Sequence, residues 1–395
     1  MGVDGRAPAA GVEERRRPQS AALLSQSRPP MPVPRAGLAP TRTPPPPTAP
    51  RPRATAAHAT LHLAAAARPH PDKAHYGGED AFFVSQTAHA AGCADGVGGW
   101  QESGVNPAWY ARTLMRLARA AVEGGAPTVV TEADVGVPGP AAAGGGAPGP
   151  PDAVLERGGD EGAAATLSGY GEDGNLAPPP PRRRPPPSTA PTLALAAAHA
   201  GTRLPGSATA AIVSHDEATS TLHGAVVGDA GVWVFRRGEL AFCSPTGLHA
   251  FDTPFQLAAV PEHADATDTV DDHAAVFEVG LQEGDWVVVA TDGITDNLHP
   301  EEAAAVLPDA AVAAADPAGA AAAAAARLVA LAAAVAGDPD APTPYAAAAA
   351  AAGVTPAGAR RRRPGWVAAM LGRGGGGEAT GGKEDDCTCV VGFLA

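Results

Sequence analysis

Trp286-Val287-Val288-Val289-Ala290-Thr291-Asp292-Gly293 is an apolar run of strand length that leads straight into a carboxylate and a glycine. The same layout recurs where Ala91 to Ala94 runs into Asp95-Gly96, and where Leu222 to Val227 is followed by Gly228-Asp229. In mirror image, Glu79-Asp80 precedes Ala81 to Val84, and Asp385-Asp386 precedes Thr388 to Val391. A single Asp-Gly pair is an ordinary turn. Five acidic positions at strand ends are a pattern, because carboxylates gathered at one end of a sheet repel unless cations neutralise them. All-oxygen ligands select Mg²⁺ or Mn²⁺ over zinc.

Working outward, further short runs rich in Val, Phe and Trp read as strands: Thr60 to Ala67, Thr209 to Ser214, Val232 to Arg236 and Val276 to Val279. Thr388 to Leu394 closes the set, and Arg236-Arg237-Gly238-Glu239 between two runs marks a hairpin. Pro107 to Val122, Pro300 to Leu307 and Pro317 to Ala336 read as helices, each opening on a proline suited to the first turn. Hairpins interrupted by helices, with no βαβ alternation, predict an α+β fold of antiparallel sheets.

The 48 Gly and 42 Pro among 395 residues cannot all be packed core. They concentrate in a leader, about 1–54, and in two low-complexity stretches, about 134–188 and 337–382, read as surface insertions in one domain over 55–395. The formal net charge of -14 is a sum of opposites: residues 1–71 carry ten Arg and three acids, and the rest is strongly acidic. From Arg15 to Pro71 there is no acid at all, the composition of a transit peptide. The run Pro44 to Pro47 breaks the amphipathic helix a mitochondrial address needs, which favours a plastid, with the mitochondrion as alternative. An acidic body does not suit nucleic acid. The longest apolar runs are almost all Ala, so no stable membrane insertion is expected. Four scattered cysteines, Cys93, Cys243, Cys387 and Cys389, make no disulfide framework and fit a reducing compartment.

The order of blocks carries a family resemblance. His70-Pro71-Asp72-Lys73, Gly77-Gly78-Glu79-Asp80-Ala81 and Asp95-Gly96-Val97-Gly98-Gly99-Trp100 come first. Gly206 to Ala210, Gly228-Asp229, Thr253-Pro254-Phe255-Gln256-Leu257, Thr291-Asp292-Gly293 and Gly382 to Thr388 follow. In this order they closely resemble the metal-dependent type 2C serine/threonine protein phosphatases, in the branch with organelle-targeted members.

The resemblance implies two antiparallel β-sheets packed as a sandwich and flanked by α-helices, with two metals at the sheet ends. By that match Asp95 bridges both ions, Glu79 and the Gly96 carbonyl hold one, and Asp292 and Asp385 hold the other. Asp80 hydrogen-bonds the metal-bound water, and Asp229 joins a third, weaker ion with Asp292. Two divalent ions lower the pKa of a shared water, and the hydroxide attacks phosphorus in line. The implied substrates are phosphoserine and phosphothreonine proteins, and the implied state is a monomer. Two features depart from the family. Val97 stands where many relatives have a proton-donating His, and His75 stands where many have a phosphate-gripping Arg. Lys73 or His75 supplies that charge, or both are solvated loop residues. Asp386 replaces a common Asn, and its added charge tightens metal binding or points to solvent. From other classes, a silent partner-binding module with this fold and a phosphatase of small metabolites stay open.

Overall fold

Strands buried on both faces read as continuous apolar runs, and the Val-rich stretch Trp286–Ala290 lies at the middle of a sheet for that reason. The computed structural model describes residues 59–126, 128–135, 190–259, 268–354, 360–361 and 379–395. The leader and nearly all of the stretch 134–188 lie outside the described residues.

Ten strands form the frame: β1 Leu61–Arg68, β2 Ala81–Ser85, β3 Ala90–Gly96, β4 Gly206–Asp216, β5 Thr221–Val227, β6 Gly231–Arg236, β7 Glu239–Cys243, β8 Ala275–Gly280, β9 Trp286–Ala290 and β10 Cys387–Leu394. One sheet runs in the order β1-β10-β9-β6-β7, the other β8-β5-β4-β3-β2, with Leu257–Ala259 added on β4. Every pairing in both is antiparallel. The expected hairpin joins β6 to β7 through Arg237 (φ 54°) and Gly238 (φ 81°), both left-handed as a type I′ turn requires.

Alternation along the strands sorts side chains into layers. Val287 and Val289 point between the sheets and meet Val213, Val232, Val234 and Val390. Trp286, Val288 and Ala290 point outward to the helix Pro317–Ala336. Helix α1 (Pro107–Val122) is capped by Asn106, whose Oδ1 accepts from Ala108 N at 3.0 Å. It lays Leu114 and Met115 on the β2–β5 sheet, and each buried side chain contributes ~2 kcal/mol. Beside it lies α2 (Ala190–Gly201), tied to α1 by Tyr110 Oη and His199 Nδ1 at 2.8 Å.

Helix α3 (Pro317–Ala336) covers the other sheet through Ala321, Ala324, Ala325, Leu328 and Ala332. The expectation that the Ala-rich runs are not apolar enough to cross a membrane needs correction: by length and composition α3 does qualify. In the fold, one face of α3 is seated on the sheet.

The second low-complexity stretch also departs from expectation, since Pro344–Ala351 is helical and buries Ala346 and Ala349. Thr343 starts it by accepting from Ala346 N at 3.1 Å, and its own hydroxyl donates to the Gly381 carbonyl at 2.7 Å. With Gly382 N donating to the Asp338 carbonyl at 3.1 Å, the two ends of this segment are pinned together beside the cleft.

Candidate active site

Antiparallel pairing brings the acidic strand ends to one end of the sandwich. The pair Ala81↔Ala94 puts Asp80 beside Asp95, and the pair Ala290↔Cys389 brings Asp292 towards Asp385-Asp386. Two glycines make this approach possible. A Cβ on Gly96 would stand 2.7 Å from the Pro107 carbonyl oxygen, and one on Gly293 would stand 1.9 Å from that of Asp386.

The carboxylates divide into two groups, each around an ammonium. Lys73, on the 3₁₀ turn Pro71–Tyr76, places Nζ 2.6 Å from Glu79 Oε2 and 2.9 Å from Asp385 Oδ1. The other oxygen of Glu79 accepts from Tyr76 Oη at 3.1 Å and from Gln101 Nε2. Lys383 places Nζ 2.5 Å from Asp292 Oδ2, 3.0 Å from Asp296 Oδ2 and 3.5 Å from Asp252 Oδ1. Burial works against charge on both lysines. For Lys73 the field of Asp385 and the bond to Glu79 outweigh it, for Lys383 the fields of Asp292 and Asp296, so both pKa values lie above the ordinary lysine value.

The acids between them are raised as well, here with burial as the largest cause. Burial, then Asp292 and Asp80, pushes Asp95 well above the carboxylate range. Burial, then Asp386, does the same to Asp80. Burial followed by Asp292 lifts Asp229 to about 7. Burial lifts Asp296 to about 6 although Lys383 opposes it. Asp80 Oδ1 and Asp229 Oδ1 are buried with no hydrogen-bond partner, while Asp80 Oδ2 accepts from Thr291 Oγ1 at 2.9 Å. Among the described residues no three His, Cys, Asp or Glu side chains are arranged to hold a metal ion as they stand. Even so, orphaned carboxylate oxygens, mutual repulsion and an all-oxygen donor set fit a hard divalent cation.

Of the two residues expected to grip phosphate, Lys73 is inside the cleft. His75 is exposed on the outer side of its turn, with Nδ1 on the Asp72 carbonyl at 2.9 Å and its ring edge-on to Tyr76. Asp386 does not point to solvent. It is buried, and its two oxygens accept the backbone amides of His70 at 2.6 Å and Glu79 at 2.5 Å, so its charge holds loops together. Cys387 and Cys389 pack in the core, and burial pushes the Cys387 thiol up to about 12, which leaves it inert as a nucleophile.

Several supporting residues were assigned no role from the sequence. Arg112 on α1 staples the Lys73 turn by donating to the Tyr76 and Gly78 carbonyls, both at 3.0 Å. Trp100 Nε1 donates to Ser207 Oγ at 2.7 Å, which donates to Gln256 Oε1 at 2.6 Å. This relay fixes the loop after Asp95-Gly96 and gives the Thr253 to Leu257 block a place in the site. Lys383 was quoted in a motif but carried no assigned role.

Compared with known proteins, the chain is similar to the solved structure of the photosystem II phosphatase PBCP, with a TM-score of 0.56, 28% identity and coverage of 85% of this chain and 99% of that one. It is 30% identical over 239 residues to probable protein phosphatase 2C 80 of Arabidopsis thaliana, and 31% identical over 229 residues to the protein phosphatase PTC7 homolog of Xenopus laevis. In sequence and in fold the chain is thus similar to type 2C protein phosphatases. The matches cover 60% and 56% of this chain, and 42% and 58% of those two relatives. No family model matches the chain. As in the expected fold, the acidic end of the sandwich lies where β2, β3, β5, β9 and β10 begin or end.

Proposed function

We propose that the chain hydrolyses phosphoserine and phosphothreonine in proteins, using two Mg²⁺ or Mn²⁺ ions held by Glu79, Asp95, the Gly96 carbonyl, Asp292 and Asp385. The observation that carries this reading is the buried acidic cleft, in which Asp80 and Asp95 are lifted well above the carboxylate range and Asp80 keeps an unpartnered oxygen. When bound, the cations supply a water of lowered pKa and neutralise charge on the phosphoryl oxygens.

The chain's own residues do the rest. Lys73 faces the cleft from the Pro71–Tyr76 turn and offers its charge to the phosphate, with a pKa too high for it to serve as an acid near neutrality. Asp80, oriented by Thr291, presents its free oxygen as an acceptor for the attacking water. Val97 carries no proton, and its backbone amide is spent on the Ser207 carbonyl at 3.0 Å, so this position does not protonate the leaving alkoxide. The Trp100–Ser207–Gln256 relay keeps the Gly96 carbonyl in place.

Two observations support a plastid address: the Arg-rich, acid-free stretch from Arg15 to Pro71, and similarity to a protein named for photosystem II. The chain then acts on phosphorylated proteins of that compartment. A fluorescent fusion of the full chain checks this, with mitochondrial fluorescence as the contrary outcome.

The activity is tested with the full chain, Mn²⁺, an aryl phosphate and a phosphothreonine peptide. Turnover of both is expected, abolished by chelator and by Asp292→Asn. Bound Mn²⁺ with no turnover indicates a silent module, and turnover of small phosphorylated metabolites alone indicates a metabolite phosphatase.

A further inference from the structure

Lys383 is built into the cleft more firmly than a surface lysine. The fully buried Asn297 grips its backbone on both sides: Oδ1 accepts from Lys383 N at 2.9 Å and Nδ2 donates to the Lys383 carbonyl at 2.8 Å. The same Nδ2 donates to the Gly293 carbonyl at 3.0 Å, so one amide fixes Lys383 relative to the turn that carries Asp292. Beyond the backbone, Nζ touches Asp292, Asp296 and Asp252 and lies 5.3 Å from the Tyr345 ring centroid. Only 20% of the side chain is exposed. Asp229, which the family resemblance matches to a ligand of a further ion, adds its field to this group and keeps one buried oxygen unpartnered.

Lys73 differs. Its turn is held by Arg112 and by its own backbone bonds, with no side chain gripping Lys73 N or O among the described residues, and Lys73 N donates to the His70 carbonyl within the turn. It can withdraw when a cation enters between Glu79 and Asp385. Lys73 Nζ also meets three carboxylates, Glu79, Asp385 and Asp386; what holds Lys383 in addition is the Asn297 grip on both sides of its backbone and the Tyr345 ring beside its head. A divalent cation entering among Asp229, Asp292 and Asp296 would meet a fixed positive charge at contact distance.

We propose that the Lys383 ammonium, in contact with Asp292 and Asp296, permanently takes the cation position that a further ion shared with Asp229 would need. The cleft then binds divalent ions only at the two positions held by Glu79, Asp95, the Gly96 carbonyl, Asp292 and Asp385, and Asp229 is no metal ligand in this chain. The inference rests on the metallophosphatase reading above, and its test counts ions without measuring turnover.

The full chain is dialysed to equilibrium against Mn²⁺, and bound metal per chain is measured by mass spectrometry. The expected count is two for the wild type, two for Asp229→Asn, three for Lys383→Met, and two again for Lys383→Met with Asp229→Asn. A wild-type count that falls by one in Asp229→Asn overturns the proposal, and this comparison decides the matter even where Lys383→Met fails to fold. Equal counts for wild type and folded Lys383→Met overturn it as well. A wild type that takes up no Mn²⁺ while Lys383→Met takes up one sinks the two-ion reading and leaves the lysine's role standing.

Discussion

Raising the pH from 5 to 8 should destabilise the metal-free protein through Asp229. Its folded pKa is about 7, raised by burial and by Asp292, against about 3.9 for an unfolded aspartate. At pH 5 the unfolded chain has already released this proton and the folded chain has not. The folded state therefore binds more protons, and stability falls as pH rises, until the folded carboxyl itself is ionised above about 7. At about 1.4 kcal/mol per pH unit, the interval from pH 5 to 7 costs about 3 kcal/mol. Asp296, at about 6, adds a smaller loss of the same sign over the first unit. Buried histidines oppose this at the acid end: His199 and His215 have lowered pKa values because burial disfavours their charge, so they lose stability as pH falls below about 6.5. The assay is denaturant unfolding in chelator at pH 5, 6.5 and 8, comparing the wild type with Asp229→Asn, which keeps the shape and removes the titration. The histidine contributions cancel in the difference. Wild type should lose about 3 kcal/mol relative to the variant between pH 5 and 8. A flat difference, or a wild type that gains on the variant with rising pH, would refute the placement of Asp229 in a buried acidic group.

Two further substitutions probe the frame. Gly293→Ala puts a methyl 1.9 Å from the Asp386 carbonyl oxygen, a backbone atom that cannot step aside, so a loss of ~3 kcal/mol or failure to fold is expected, read from the denaturation midpoint. Arg237→Asn should stabilise by ~0.5 kcal/mol, because Arg237 is exposed at φ 54° in a type I′ turn where Asn-Gly is preferred; an unchanged or lowered midpoint counts against that turn assignment.

The sandwich was legible because its strands are short Val-rich runs with clean ends. All nine strand runs quoted from the sequence appear, and Pro107–Val122 and Pro317–Ala336 form helices over the expected spans. Glu239–Cys243 was legible only as the far side of a hairpin, since its apolar run, Leu240 to Cys243, is just four residues long. Helix α2 left no trace for a different reason: Ala and Leu surround it on all sides, so no periodicity separates a buried face from an open one. The helix Pro344–Ala351 did carry a signal, Thr343 followed by Pro344, but it sat in a segment whose Gly and Pro content pointed to a loop. For the site, the acidic positions were visible because each adjoins a strand end. The cations were not: Lys73 lies 312 residues from Asp385, and only the fold brings them together. Asp386 shows the same limit, since its partners His70 and Glu79 lie at the other end of the chain.

The alanine face of α3 has an energetic consequence for the residues above it. Ala321, Ala324, Ala325 and Ala332 meet Ala64 and Ala66 of β1, and the Asp292–Thr295 turn inserts Ile294 into the same layer. An alanine has no χ angle, so packing it freezes no rotamers, whereas a buried leucine gives up ~0.5–1 kcal/mol of side-chain entropy. A small aromatic content is thereby offset: little is gained per residue, and nothing is lost to side-chain ordering. The layer beneath Asp292 also has few alternative packings to sample, so the position of that carboxylate is set by backbone geometry and not by a choice among side-chain conformers.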